Sequence, residues 1–180
     1  MKRSLVLVGG VAVVAAALAA SSSGLLAART SPAAVAKRQS GFLLLPPATP
    51  AGQMTLYGHI KTVARTGGHY LLGFDPAWFT SGITARRAHL QDTGSSDVPN
   101  DNYVIEEGHR VLTYILPLDA RVTVLTNDGS GISSVAIPVP ELARIVNGGK
   151  HRKLFEPLDS GVWIRVRIDT VKELDQQYRP

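Results

Sequence analysis

The segment from Gly161 to Thr170, with the sequence GVWIRVRIDT, constrains the fold more than any other part of the chain. Branched apolar side chains alternate in it with larger or charged ones. The apolar set consists of Val162, Ile164, Val166 and Ile168. The other set consists of Trp163, Arg165, Arg167 and Asp169. A side-chain period of two predicts a β-strand that buries the first set, so the rest of the chain must supply a core for it.

Shorter alternating segments predict the other strands of the sheet. Met54 to Phe74 predicts a β-hairpin with its turn at Arg65–Gly68, because two adjacent glycines allow positive φ angles. Asp75–Pro76 is expected to end the second strand, since proline cannot donate a hydrogen bond to a neighbouring strand. Pro138 marks an edge strand for the same reason. The later strands are predicted near residues 103–106, 111–116, 121–126 and 135–139.

Two segments have the periodicity of short helices. Ile83, Arg87 and Leu90 recur at helical spacing, which predicts a helix over about residues 81–91. A second helix is predicted over 140–147, with Pro140 at its start and Gly148 just after its end. The chain is thus predicted to be mainly β: a small antiparallel β-barrel, OB-like in element order, or a sandwich. Regular strand–helix alternation, which a parallel α/β fold needs, is absent.

The N-terminal residues have the layout of a secretory signal peptide. Lys2 and Arg3 precede an apolar run from Leu5 to Ala19, and Ala17-Leu18-Ala19 supplies small residues for cleavage. The alternative is an uncleaved membrane anchor, because residues 5–28 carry no charge and are long enough to span a bilayer. Both alternatives predict export, either as a secreted protein or to the outer face of the cytoplasmic membrane.

Residues 29–53 are rich in proline, alanine and serine, a composition typical of a disordered linker. Within them the apolar segment Phe42–Leu45 is either a strand added to a sheet edge or an adhesive patch in the tether. We expect ordered structure from Met54 onward. The sequence therefore divides into a signal peptide or membrane anchor (1–28), a linker (29–53) and a β-rich domain (54–180).

The positive charge of the chain lies in its N-terminal region. Five of the 19 Lys and Arg residues precede residue 51, so the other 14 balance the 14 Asp and Glu residues. A neutral domain lacks the basic surface of a nucleic-acid-binding protein, and nucleic acid is not an expected partner. Cysteine is absent, which excludes disulfides and cysteine-ligated metals.

No residue pattern predicts a metal, a cofactor or a catalytic residue. The loop Asp92–Asn102 supplies oxygen donors of the kind calcium prefers, yet the same residue types form turns without metal. Asp128 to Gly131 lacks the pattern of a serine-nucleophile turn. A catalytic triad is recognised by geometry, so a site assembled by the fold stays open. None of the five histidines has zinc-ligand spacing: His59, His69, His89, His109 and His151.

We predict Trp163, Arg165 and Arg167 as the binding residues of the domain. A tryptophan and two arginines on one outward face suit a binding surface, and they equally suit an edge strand that must stay in solution. The basic run Lys150–Lys153 has two interpretations as well. It either contacts phosphate or anionic lipid, or stabilises the C-terminal end of the preceding helix, and we favour the second.

Three phrases of the sequence carry a family resemblance: Phe74–Trp78 (FDPAW), Val98–Tyr103 (VPNDNY) and Leu174–Tyr178 (LDQQY). In that order they are similar to an uncharacterised family of small exported bacterial proteins, over roughly residues 54–180. The resemblance implies a folded unit outside the cytoplasm. That family has no assigned activity, cofactor or catalytic residue, so it implies no site residues.

The sequence favours a non-enzymatic, exported or membrane-tethered β-barrel module that binds a protein or another component of the cell envelope. The alternative is an extracellular hydrolase whose active site is gathered by the fold. A histidine in a pocket beside a serine or carboxylate would favour the hydrolase. A shallow exposed patch around Trp163 and Arg165 would favour binding.

Overall fold

The structure is a computed structural model that describes residues 48–106, 108, 110–129 and 131–179. The expected signal peptide or anchor at residues 1–28 lies outside the described residues, and so does the linker up to residue 47. The described elements are β1 (Met54–Thr66), β2 (His69–Ser81), α1 (Gly82–Thr93), β3 (Asn102–Ile105), β4 (Leu112–Pro117), β5 (Arg121–Asn127), β6 (Ile132–Ile137), α2 (Val139–Val146), β7 (Val162–Arg167) and β8 (Thr170–Gln176). Two short 3-10 helices cover Pro99–Asp101 and Leu158–Ser160.

The sheet closes into a ring in the strand order β1-β2-β4-β8-β7. β1 pairs with both β2 and β7, β2 pairs with β4, and β7 pairs with β8. β4 completes the ring by pairing with β8 at Ile115 and Thr170. The expected mainly β fold with two helices is confirmed. The expected antiparallel arrangement fails at β8, which runs parallel to β4 and to β5.

β2 is longer than the sequence predicts, and the predicted strand end at Asp75–Pro76 is wrong. The strand continues because it changes partner: β4 pairs with it as far as Phe74, and β3 from Trp78 onward. On the other side of β2, Pro76 pairs with Gly58 of β1. Pro76 thus lies in the gap between β4 and β3, where its missing N–H interrupts neither of those two ladders.

Within the alternating segment Gly161–Thr170, Val162–Arg167 forms β7 and packs its apolar face into the core. Val162, Ile164 and Val166 are at most 1% exposed, which confirms their predicted burial. The prediction is wrong for Ile168, whose side chain is 90% exposed. β7 ends at Arg167, and Ile168 and Asp169 form the turn into β8. The tight hairpin therefore turns Ile168 away from the core.

β8 was not predicted, because polar residues interrupt its pattern although it lies inside the sheet. Asp175, Gln176 and Gln177 are all buried. Asp175 accepts a hydrogen bond from the Thr123 hydroxyl at 2.5 Å, and the Gln176 side-chain oxygen accepts one from the Leu125 N–H at 2.8 Å. Burial of these polar groups is tolerated because each has a partner.

Both helices lie where the sequence predicts them. The buried face of α1 consists of Ala85 and Ala88, whereas Ile83 is 76% exposed. α2 covers the core with its buried Leu142, and it follows β6, which is an edge strand as expected. Within the described part of the chain, no helix is both long enough and apolar enough to cross a membrane.

Candidate functional site

The sheet divides in two at one end of β1. β1 and β2 stay paired as far as Tyr57 and Ala77. Beyond that pair, the N-terminal part of β1 is paired with β7, while Trp78–Ser81 of β2 is paired with β3. The two strands therefore separate and leave a cavity of about 220 Å³ between them. We call it the aromatic pocket; its lining is Thr55, Leu56, Tyr57, Pro76, Ala77, Trp78, Phe79 and Trp163.

Three rings of this pocket pack against one another. The centroids of Tyr57 and Trp163 are 5.1 Å apart, those of Tyr57 and Phe79 also 5.1 Å, and those of Phe79 and Trp163 5.8 Å. These tilted and edge-on contacts are the arrangements that aromatic pairs prefer. Together with Ala77 the rings form a small hydrophobic cluster separate from the main core. The pocket wall is thus held in place by its own packing.

The polar atoms of the two buried rings are satisfied by other parts of the chain. Trp163 donates its indole N–H to the side-chain oxygen of Gln177 at 2.5 Å. Tyr57 donates its hydroxyl to the carbonyl oxygen of Ser160 at 3.0 Å. Burial raises the pKa of Tyr57 to about 12, so the phenol keeps its proton at neutral pH. These rings therefore offer apolar surface to the pocket.

Gly161 makes the position of Tyr57 possible. A Cβ atom added at Gly161 would lie 2.0 Å from the Tyr57 hydroxyl oxygen, well inside contact distance. The backbone of Gly161 also has a φ of 114°, which L side chains rarely adopt. A glycine between Ser160 and β7 thus allows the tyrosine to reach its hydrogen-bond acceptor.

The predicted binding residues do not form one exposed surface. Trp163 and Arg165 are each 7% exposed, so their predicted exposure is wrong, whereas Arg167 is exposed. The reason is that β7 is no edge strand: it lies between β1 and β8, and other segments cover its outward face. Of the three predicted residues, only Trp163 is part of the pocket lining.

Arg165 belongs instead to a chain of charged groups along the sheet. Its guanidinium forms an ion pair with Glu173, and it donates a hydrogen bond to the carbonyl oxygen of Ala48 at 3.1 Å. Arg121 also contacts Glu173, at 2.8 Å, and Asp175, at 3.5 Å. Buried charges of this kind need partners, and here neighbouring strands supply them. Arg165 therefore holds β7, β8 and the chain around Ala48 together.

His59 is hydrogen-bonded to a carboxylate, the feature that would favour a hydrolase. Its Nε2 lies 2.7 Å from Glu106 Oε1, and its Nδ1 lies 2.9 Å from the carbonyl oxygen of Asp159. Both partners are acceptors, so each ring nitrogen faces an oxygen atom, and a neutral imidazole can donate its one N–H to either of them. A general base needs one nitrogen directed at the nucleophile, and this arrangement leaves neither for that task.

The acidic loop that resembled a calcium site uses its side chains for local contacts. Asp92 accepts a hydrogen bond from the Tyr103 hydroxyl at 2.9 Å, and Asp101 lies 3.4 Å from the Arg86 guanidinium. Asn102 donates its side-chain amide to the carbonyl oxygen of Asn100. Across the described residues, no three His, Asp or Glu side chains come close enough together to hold a metal ion.

A second, more polar groove lies between α2 and the loop that precedes β7. It has a volume of about 510 Å³, and Lys61, His151, Lys153 and Glu156 are among its lining residues. Burial raises the pKa of Glu156. Arg152 of the basic run is bound to Glu141 of α2, with its Nε 2.6 Å from Oε1. Within the basic run, Arg152 thus holds α2 through Glu141, and His151 and Lys153 line the groove.

Sequence reasoning found Trp163 but missed Tyr57 and Phe79 as residues of the same site. The available signal was the concentration of aromatic residues at the ends of the first hairpin, which include Tyr57, Trp78 and Phe79. Their meeting with Trp163 depends on the pairing of β1 with β7, which local patterns do not specify.

No family model matches the chain, and the searches of curated proteins and of solved structures also give no match. The resemblance to exported bacterial proteins therefore stays a prediction.

Proposed function

We propose that this protein is an exported, non-enzymatic module that binds a partner at the cell envelope through the aromatic pocket. The observation that carries the proposal is a preformed pocket of rings packed edge-on and tilted, in which Tyr57 and Trp163 have their polar atoms bonded elsewhere. Such a wall attracts an apolar or aromatic group and supplies little for bond-breaking chemistry.

The size of the pocket supports a partner that inserts a single bulky side chain. Sites for small organic ligands usually measure about 300–1,000 Å³. The aromatic pocket, at about 220 Å³, is smaller. Protein interfaces often depend on one anchoring side chain in a well-packed pocket. The exposed indole of Trp78, at 58%, provides further contact area at the rim. We therefore favour a protein partner. The broader class is any envelope component that presents an apolar group.

The finer description of the fold is part of the proposal. In chain order, the ring strands are β1, β2, β4, β7 and β8. β4 pairs in parallel with β8, and α2 precedes β7. This connectivity supports an OB-type barrel, with β3 and the β5–β6 hairpin as additions. Export, by a cleaved signal peptide or with residues 1–28 as an anchor, rests on the N-terminal sequence.

The alternative function is an extracellular hydrolase. It requires a histidine with a ring nitrogen facing a nucleophile. Both ring nitrogens of His59 face oxygen acceptors of the chain instead, which supports the binding role better. Nucleic acid is not proposed as a partner, because acidic and basic side chains balance in residues 51–180.

The test uses N-acetyl-phenylalaninamide as a probe for the pocket, with N-acetyl-lysinamide as the charged control. We expect the phenylalanine compound to shift the two indole N–H signals in NMR spectra in a saturable way, and the lysine compound to leave them unchanged. Trp78→Ala should weaken this binding about tenfold, the upper range for losing one aromatic contact. Leu118→Ala, also exposed but outside the pocket lining, should leave it unchanged.

The same variants test the envelope partner. Labelled protein should bind envelope fractions of the bacterium that encodes it, and Trp78→Ala, unlike Leu118→Ala, should abolish most of that binding. Equal binding by both variants, or indole signals that respond equally to the lysine compound, would contradict the proposed function.

A further inference from the structure

We propose that the chain carries its own ligand for the aromatic pocket: the apolar segment Phe42–Leu45 places a side chain in it, and a partner binds by displacing that segment. This inference rests on the proposed function. It concerns the same pocket and adds an occupant that competes with the partner for it.

The first described residues lie beside the pocket. The carbonyl oxygen of Ala48 accepts a hydrogen bond from Arg165 at 3.1 Å, and the Thr49 and Thr55 hydroxyl oxygens are 2.6 Å apart. Thr55 is part of the pocket lining. Two contacts to different strands thus fix the chain at its entry to the domain.

The two anchoring contacts and the pocket occupy the same face of the sheet. Thr55 is paired with Arg165, and the next pair on that face is Tyr57 with Trp163. Pairs that share a face are separated by two residues of strand, about 6.6–6.8 Å. The chain near Ala48 is therefore one such step from the rings that line the pocket.

The apolar segment is within reach of the pocket. Leu45 and Phe42 precede Ala48 by three and six residues. An extended chain spans at most about 3.3–3.6 Å per residue, which gives limits of roughly 10 and 20 Å. Since the link is short, closing the loop between segment and pocket costs little entropy.

The chemistry of segment and pocket matches. The segment offers one phenylalanine and three leucines to a pocket sized for one apolar side chain. Pro46 and Pro47 follow it directly, and their fixed φ angles reduce the conformational entropy that docking removes. A segment tethered this closely has an effective concentration of the order of millimolar, so an outside ligand must compete with it.

The tryptophans make the inference testable in the exported protein, with its N-terminus established by mass spectrometry. The chain has two tryptophans, and both line the pocket, so tryptophan fluorescence reports on it directly. The test variant replaces Phe42, Leu43, Leu44 and Leu45 with serine. The matched control replaces Ala33, Ala34, Val35 and Ala36 with serine in the same linker. Circular dichroism is used to check that both variants keep the fold.

We expect the test variant to show red-shifted emission and at least about twofold stronger quenching by acrylamide, with the control unchanged. N-acetyl-phenylalaninamide should bind the test variant about tenfold more tightly than the parent, because the tethered competitor is lost. Unchanged quenching and probe affinity in the test variant would overturn this inference while leaving the pocket a binding site. Failure of the probe to bind even the test variant would overturn the proposed function itself.

Discussion

Among the residues that the structure describes, Ile168 has the backbone that most clearly departs from ordinary geometry. It has a φ of 60°, a value that is exceptional for a β-branched residue, and its side chain is 90% exposed. The tight link between Arg167 and Thr170 imposes this conformation, because the two are register partners with only Ile168 and Asp169 between them. The residue gains no burial that would offset the strain.

Replacing Ile168 with glycine should therefore stabilise the domain. The left-handed region costs an L residue about 1–2 kcal/mol, and glycine avoids this cost while losing part of the gain through its freer unfolded chain. We expect the free energy of unfolding in urea to rise by about 0.5–1 kcal/mol. Met54→Gly, at an exposed apolar position of β1 without positive φ, should lower it instead. A stability loss for Ile168→Gly would contradict the strain argument.

At the scale of elements, α2 is attached to the loop after it by an ion pair. Glu141 lies in the first turn of the helix, and its two carboxylate oxygens lie 2.6 and 3.1 Å from Arg152 Nε and Nη2. The hydrogen bonds from Arg152 hold the pKa of Glu141 below its ordinary value. A carboxylate with a lowered folded-state pKa stabilises the fold above its unfolded pKa, and this contribution is lost as the pH falls.

Arg152→Gln should lower the free energy of unfolding at pH 7 by about 1 kcal/mol or less, the range for a partly exposed pair. The difference from the parent protein should shrink as the pH falls below 4.5, the ordinary pKa of Glu141, and vanish once Glu141 is protonated. Urea unfolding between pH 2.5 and 7 measures this. Lys150→Gln, an exposed neighbour, should show no such pH dependence. A difference that stays constant with pH would contradict the ion-pair assignment.

For the molecule as a whole, β8 is the strand on which closure of the sheet depends. It pairs with β7 along its length, with β4 at its start, and with β5 near its end. Leu174 lies in the shared core of these strands and is fully buried. The β5–β6 hairpin, by contrast, adds an edge to the sheet without closing it.

Leu174→Ala should accordingly cost about 2–5 kcal/mol, because it removes a fully buried leucine and leaves a cavity. Val135→Ala, at a half-buried position of the edge strand β6, should cost about 1 kcal/mol. Chemical denaturation followed by circular dichroism compares the two. Similar losses for both variants would show that the closed ring contributes no more to stability than its added edge.

The sequence by itself determined what depends on neighbouring residues along the chain. The alternation of Val162, Ile164 and Val166 specified the buried face of β7, and Gly67-Gly68 located the first hairpin turn. Pro140 and Gly148 bounded α2 to within about a residue or two. These predictions succeeded because side-chain period, turn geometry and helix ends are local properties.

Only the tertiary structure decided what covers the second face of each strand. Alternation assigned Trp163 and Arg165 to the face opposite the core, but it does not state whether that face meets water. Gln177, 14 residues after Trp163, and Ala48, 117 residues before Arg165, cover them through hydrogen bonds. The aromatic pocket exists for the same reason: β1 pairs with β7 on the edge opposite β2, and this long-range pairing brings Tyr57 and Trp163 together.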